Sequence, residues 1–298
     1  MKKNAVPILV FTILPCTVLI AQVPVEGIIV PDARLEKVAE GFAFTEGVAS
    51  DTKGNVYFSD IPESRIHFYD ITDQGKIFLE NSNGANGLHV DQDGNIIACE
   101  GAEGGRLVQI SPRGSVDVIA DGYNEKSFNS PNDLWKHPNG GYYMTDPRYG
   151  GSRDNLPQDG EHVYFIAQDQ EKVIRVIDDM VRPNGITGTE DGSTLYVADQ
   201  GAGKTYRYTI LEDGTLTDKQ LFADEGSDGM TIDSQGNVYL TNTAVKVYNP
   251  AGRLIETIEI PESPTNVCFG GGDNKTLYIT ARTSVYKLKM IVEKVFSN

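Results

Sequence analysis

The sequence predicts an all-β chain folded as a six-bladed β-propeller, with four antiparallel strands per blade. Three observations carry this expectation. A block of apolar run, turn and apolar run recurs six times, each copy followed by further strand-like runs. A glycine or asparagine falls at one fixed position in every copy. The strand missing from the last copy stands at the front of the domain.

The six copies read TEGVASDTKGNVYFSD from Thr45, ANGLHVDQDGNIIACE from Ala85, PNDLWKHPNGGYYMTD from Pro131, PNGITGTEDGSTLYVAD from Pro183, SDGMTIDSQGNVYLTN from Ser227 and TNVCFGGGDNKTLYITA from Thr265. A polar residue opens each first run: Glu46, Asn86, Asn132, Asn184, Asp228 and Asn266. Eight residues on stand Gly54, Gly94, Gly140, Gly192, Gly236 and Asn274. Glycine and asparagine tolerate the positive φ of a hairpin turn better than other residues.

A third β-type run follows in every copy, from Ser64, Gly105, His162, Thr205, Ala244 and Ser284. A fourth follows in five, from Gly75, Val116, Val173, Lys219 and Glu256. The sixth copy has little chain left for one, and RLEKVAE from Arg34 supplies it. Four short strands in repeats of about 40 to 50 residues describe a propeller blade. A linear solenoid has no reason to borrow its last strand from its first.

Around this domain, 34–298, lie two short segments. Lys2 and Lys3 followed by an apolar stretch to Ala21 have the pattern of a secretory signal peptide over 1–21, with a linker at 22–33. Export to the periplasm or the extracellular space is therefore expected, with no stable membrane insertion after cleavage. Cys99 and Cys268 would remain, both in strand-like runs where a free thiol is the common case. The formal charge of −16 excludes nucleic acid as a partner, because phosphates need a basic surface.

In a propeller the first strand of each blade lines the central channel. Glu46, Asn86, Asn132, Asn184, Asp228 and Asn266 should therefore converge at one height around the axis. Two carboxylates among amide oxygens repel unless a cation lies between them. That donor set suits a hard cation, with calcium favoured for its six to eight flexible oxygen contacts. The ring holds no His or Cys, which argues against zinc and copper. The alternative reading of Asn86–Gly87, Asn184–Gly185 and Asp228–Gly229 is plain turn chemistry.

The sequence also resembles the senescence marker protein/gluconolactonase/luciferin-regenerating family. The motifs that carry the resemblance are TEG at 45–47, ANGL at 85–88, SPNDL at 130–134, TDPRYG at 145–150, RPNGI at 182–186, YVAD at 196–199 and SDGM at 227–230. The set is most similar to bacterial gluconolactonases. The Arg-Phe-Asn-Asp-type substrate motif of the animal members is absent, and SFNSPNDL stands there from Ser127.

The resemblance implies one divalent cation, calcium first and magnesium, manganese or zinc as alternatives, held by Glu46, Asn132, Asn184 and Asp228. It implies a small-molecule partner, a sugar lactone or related small ester, opened by water. Asp228 would act as general base, with Asn132 and Asn184 beside the developing oxyanion. Asn86 and Asn266 would line the channel. Arg148 and Tyr149, on the long loop 147–161 above the ring, are candidates for substrate contact, as are Lys126 and Arg153. The histidines His67, His89, His137 and His162 fall outside the ring position. Competing readings are a phosphotriesterase on the same metal and a non-catalytic, calcium-stabilised binding module. The oligomeric state is open.

Overall fold

The structure is a computed structural model that describes residues 27–295 except 103 and 171. The expected signal segment 1–21 lies outside the described residues, as do 22–26 of the expected linker.

Six four-stranded antiparallel sheets follow one another along the chain. Their innermost strands are Thr45–Ser50, Ala85–Val90, Leu134–Lys136, Pro183–Gly188, Met230–Ile232 and Asn266–Gly270. Each inner strand contacts the next, and the last returns to the first, so the sheets close into a ring of six blades. The sixth sheet is completed by Glu36–Glu40, which pairs antiparallel with Ser284–Lys289. The strand expected from Arg34 thus closes the propeller.

The turn positions behave as the repeat requires. Gly54, Gly94, Gly140, Gly192 and Gly236 have φ between 72° and 91°, and Asn274 has φ 57°. One element was not foreseen, a short hairpin of Gly122–Tyr123 with Lys126–Ser127 on the connection into blade three.

The apolar core is divided rather than central. Six clusters fill the six wedges between adjacent blades. Ile97, Cys99 and Leu107 meet Leu134, Met144 and Tyr164 between blades two and three. Val48 and Phe58 meet Tyr278 and Val285 where the ring closes. Alternation along each strand buries one set of side chains against the preceding blade and the other against the next. Ile28 packs into the wedge between blades five and six, and Ile29 bridges to Met290.

Around the axis the inner strands approach too closely for side chains at certain positions. A Cβ on Gly47, which has φ +57°, would lie 1.8 Å from the Asn86 carbonyl oxygen. A Cβ on Gly87 would lie 2.5 Å from Asp133 Oδ1, and the Gly87 N–H donates to the Asn132 carbonyl at 2.7 Å. Gly185 and Gly229 occupy the same place in blades four and five. The glycine after a ring residue therefore serves inter-blade contact and not a turn.

The segments entering the inner strands are held by buried carboxylates at the ends of second strands. Asp60 accepts the N–H groups of Ala43 and Phe44, both at 3.0 Å. Asp146 accepts those of Asn129 and Ser130 at 2.9 and 2.7 Å. Asp199 accepts those of Val181 and Arg182, both at 2.9 Å. In all three blades the clamped amides lie three and two residues before the ring residue. Such a carboxylate satisfies two backbone donors that would otherwise be buried unpaired.

The foot of the channel is crossed by the last described residues. Asp233 bridges to Lys294, Ser234 N–H donates to the Glu293 carbonyl, and Lys294 Nζ donates to Ser50 Oγ at 2.7 Å.

The clamps make a stability prediction. Asp199→Ala strands two backbone donors, those of Val181 and Arg182, while the Ala202 N–H keeps the Asp199 carbonyl. It should cost about 3 kcal/mol in urea unfolding, with Asp199→Asn losing about half as much. A loss under about 0.5 kcal/mol would show that these bonds do not hold the inner strand.

Candidate active site

Each ring residue stands at the head of its inner strand or just before it. In blades one, two and four a register shift follows at once, between Glu46 and Ala49, Ala85 and Leu88, and Pro183 and Ile186. A bulge of this kind re-aims a side chain without ending the sheet. In blades three and five the strands start later than expected, at Leu134 and Met230. Asn132 and Asp228 are still tied to the second strand, through N–H groups donating to the Thr145 and Thr241 carbonyls.

Four of the six side chains form one connected network. Asn184 Nδ2 donates to Asp228 Oδ1 at 2.7 Å. Glu46 hydrogen-bonds Asp228, and its Oε2 accepts the Gly47 N–H at 2.9 Å. Asn266 Nδ2 donates to the same Glu46 oxygen at 3.3 Å. The remaining two, Asn86 and Asn132, face the cavity above the ring. No group among the described residues hydrogen-bonds the Asn132 amide side chain, although the residue is only 8% exposed.

Burial and mutual repulsion govern the two acids. Desolvation, then the nearby Asp228 charge, hold Glu46 well above the usual carboxylate range, with the Gly47 N–H pulling the other way. Desolvation pushes Asp228 up to about 6, opposed by hydrogen bonds from Asn184 and Glu46. Two carboxyls this close cannot both ionise without a countercharge.

A third acid was missed by sequence reasoning. Asp133, 7% exposed, lies beside the ring and is pushed up to about 7 by burial, against hydrogen bonds from the Leu134 and Ile186 N–H groups. Its signal was its place beside Asn132 in SPNDL. Asp60 was missed too, although Asp60, Glu100 and Asp146 all stand fourteen residues beyond their ring residue.

Above the ring lies a cavity of about 760 Å³ lined by Asn86, Asn129, Asn132, Arg148 and Tyr149 among others. The Tyr149 hydroxyl reaches the ring and accepts from Asn184 Nδ2 at 2.7 Å, while its half-exposed ring lies under the Arg182 guanidinium. Burial of the hydroxyl raises its pKa, so the phenol stays neutral. Arg148 Nη1 donates to the Asn129 carbonyl at 2.7 Å. Asn266 is not part of this cavity; it borders a smaller chamber of about 140 Å³ below the ring. Arg153 is held by Glu161 and the Val181 carbonyl. Lys126 is exposed on the unforeseen hairpin.

The histidines lie elsewhere. His67 stacks on Phe58, His89 lines the lower chamber, His137 bonds the Gly192 carbonyl and His162 meets Asp159. Among the described residues no group of three or more His, Cys, Asp or Glu side chains could hold a metal. Any cation at the ring must therefore draw on amide oxygens beside Glu46 and Asp228. The donor chemistry fits a hard cation: a buried acid pair short of one countercharge, and an unpartnered amide at Asn132.

Comparison with known proteins agrees with this architecture. Residues 44–283 match the model of the SMP-30/Gluconolactonase/LRE-like region. A gluconolactonase of Zymomonas mobilis is 27% identical over 289 residues, covering 86% of this chain and 81% of that protein. A pentonolactonase of Haloferax volcanii is 27% identical over 244 residues, covering 76% of each. The solved structure of a gluconolactonase from Xanthomonas campestris superposes with a TM-score of 0.81 at 25% identity, covering 88% of this chain and 91% of that one. With a family match that spans every ring residue and all but the two outer strands of the closing blade, the chain belongs to the SMP-30/gluconolactonase/LRE-like family.

Proposed function

We propose that this protein is a divalent-metal-dependent lactonase that opens a sugar lactone by attack of water. The observation that carries the reading is the Glu46–Asp228 pair, buried in the same ring as the cavity-lining amides Asn86 and Asn132 and short of one countercharge. Relatives named gluconolactonase and pentonolactonase support the substrate class.

Glu46, Asn132, Asn184 and Asp228 would hold the cation, calcium by preference. When bound, it would supply Lewis-acid polarisation of an ester carbonyl and neutralise the acid pair. The chain's own residues do the rest. Asp228 is the general base, a largely buried carboxylate at the ring that would take a proton from the attacking water. Asn184 orients it through the 2.7 Å bond to Oδ1. The Asn132 amide, with no protein partner, is free to donate to a developing oxyanion. Asn86, Arg148 and Tyr149 line the space above and would position the sugar.

The test is hydrolysis of glucono-δ-lactone by the purified protein, followed by acid release with chelator and with calcium, magnesium, manganese and zinc in turn. Metal-restored turnover is expected. Asp228→Asn should reduce kcat by about 100-fold or more. Turnover that survives chelation would overturn the metal role, and turnover of a phosphotriester alone would replace the substrate class.

Glu46→Gln separates the metal role from catalysis. Without metal at pH 8 it should stabilise the protein by about 1 kcal/mol, because it removes a buried charge conflict. It should also abolish the calcium-induced rise in Tm. A Glu46→Gln protein that still responds to calcium would place the cation elsewhere.

The raised pKa values set a pH dependence. Glu46 and Asp228 keep protons in the folded state that the unfolded chain releases above the ordinary carboxylate range. Their contribution is present at low pH and is lost as pH rises through the folded values. Calcium takes over from the protons, so its effect on Tm should grow from about pH 5 to about pH 8. His89, pushed down to about 3 mainly by burial, acts in the opposite sense but cancels when melting is compared with and without calcium. A calcium effect independent of pH would mean that the pair is not the site.

A further inference from the structure

We propose that the substrate carries an anionic group remote from its ester, and that Arg148 binds that group. The inference rests on the lactonase reading and narrows it to lactones of sugar diacids and similar anionic lactones.

The cavity above the ring runs from the ring amides Asn86 and Asn132 to the loop residues Arg148, Tyr149 and Asn155. A lactone whose carbonyl lies at the ring therefore directs its far end towards the loop. Among the described residues that line this cavity, Arg148 is the one charged side chain, and no acid is present. That is an unusual wall in a chain with 42 acidic and 26 basic residues.

Arg148 is fixed in place, and although it lies within electrostatic reach of Asp146 it makes no direct ion pair among the described residues. Its Nη1 donates to the carbonyl of Asn129 at 2.7 Å. Asn129, 1% exposed, is itself tied by Nδ2 to the carbonyls of Asp146 and Gly160. The neighbouring acid, Asp146, spends both oxygens on the N–H groups of Asn129 and Ser130. Arg148 forms no ion pair among the described residues, and its Nε is buried with no hydrogen-bond partner. The other rim arginines are already engaged: Arg153 bonds Glu161, and Arg182 lies over Tyr149 with its Nε 3.8 Å from Glu161.

The unused edge of the Arg148 guanidinium faces a backbone without a side chain. A Cβ on Gly151 would lie 3.6 Å from Nη2 and 3.8 Å from Nε, and one on Gly150 would meet nothing within 4 Å. The Nε–Nη2 edge is the fork that takes two oxygens of a carboxylate, sulfonate or phosphate. The turn at Gly150 and Gly151 runs beside it and presents no side chain that would bar an oxyanion from the fork. A neutral polyol would leave the charge-assisted bonding capacity of this edge unused.

The experiment compares glucono-δ-lactone with the monolactone of glucaric acid, using purified protein with calcium. Affinities for the products gluconate and glucarate are measured in parallel by calorimetry. The wild-type protein should favour the glucaric lactone, and Arg148→Gln should lower the ratio of the two kcat/KM values by about 10- to 100-fold, mainly through KM. Arg148→Lys, a point charge without the fork, should fall between. Equal turnover of both lactones by the wild type, or a preference that survives in Arg148→Gln, would overturn the inference while leaving the lactonase reading intact. If neither lactone is hydrolysed, the lactonase reading fails and binding decides this one. A glucarate preference lost in Arg148→Gln supports the anion subsite; equal affinity, or no binding, removes it.

Discussion

Ring closure forces Glu46 and Asp228 together, and the rest of the site follows from that enforced proximity. Neither acid is placed by its own blade alone. Each stands at the head of an inner strand or just before it, and each inner strand is held by its two neighbours around the axis. The strands come so close that Gly47 and Gly87 have no room for a Cβ. A blade cannot retreat to relieve the repulsion without opening the apolar wedges on either side. The conflict is therefore relieved within the ring, by a shared proton or by a cation.

The arrangement also explains why the clamps matter. Asp60, Asp146 and Asp199 fix the backbone just before Glu46, Asn132 and Asn184. Those three are among the four residues assigned to the cation. In the fourth blade of that set, the hydroxyls of Ser227 and Thr241 take the place of the carboxylate. Ser227 Oγ accepts the Thr241 N–H and donates to the Gly229 carbonyl, and Thr241 Oγ1 accepts the Gly229 N–H. Backbone bonds at each of these four positions would leave a cation little to reorganise.

Much of this was legible in the sequence because a propeller writes its geometry as a period. The six ring residues and the six turn positions were found by counting, since symmetry puts equivalent residues at one height. The closing strand was found as a gap in the same count. What the count could not reach were features that break or cross the period. Asp133 is an acid that only one blade carries beside its ring residue. The hairpin at 122–127 belongs to no repeat. The Asn–Gly pairs were ambiguous because turn chemistry and close backbone approach select the same glycine, and only the distance to the next blade separates them. The role of Tyr149 depended on the path of a long loop, which no local pattern fixes.

The two ends of the channel are chemically opposite, and that asymmetry bears on how the site works. At the foot, Lys294 is held by Ser50, and with Lys136 it faces His89, whose pKa burial and these cations drive down to about 3. The segment that carries Lys294 is pinned to blades five and six by Asp233, Ser234 and Asn274, so the foot is covered by the chain itself. At the mouth, the ring amides Asn86 and Asn132 line a cavity whose one charged side chain among the described residues is Arg148. A lactone entering by this cavity would pass Arg148 and Tyr149, and its product would leave by the same route. Product release then returns an acid past the one cationic side chain on the cavity wall. An arginine there would hold a carboxylate product more tightly than a neutral substrate. That penalty is smallest if the substrate is already an anion, because Arg148 then contributes to both states and favours neither.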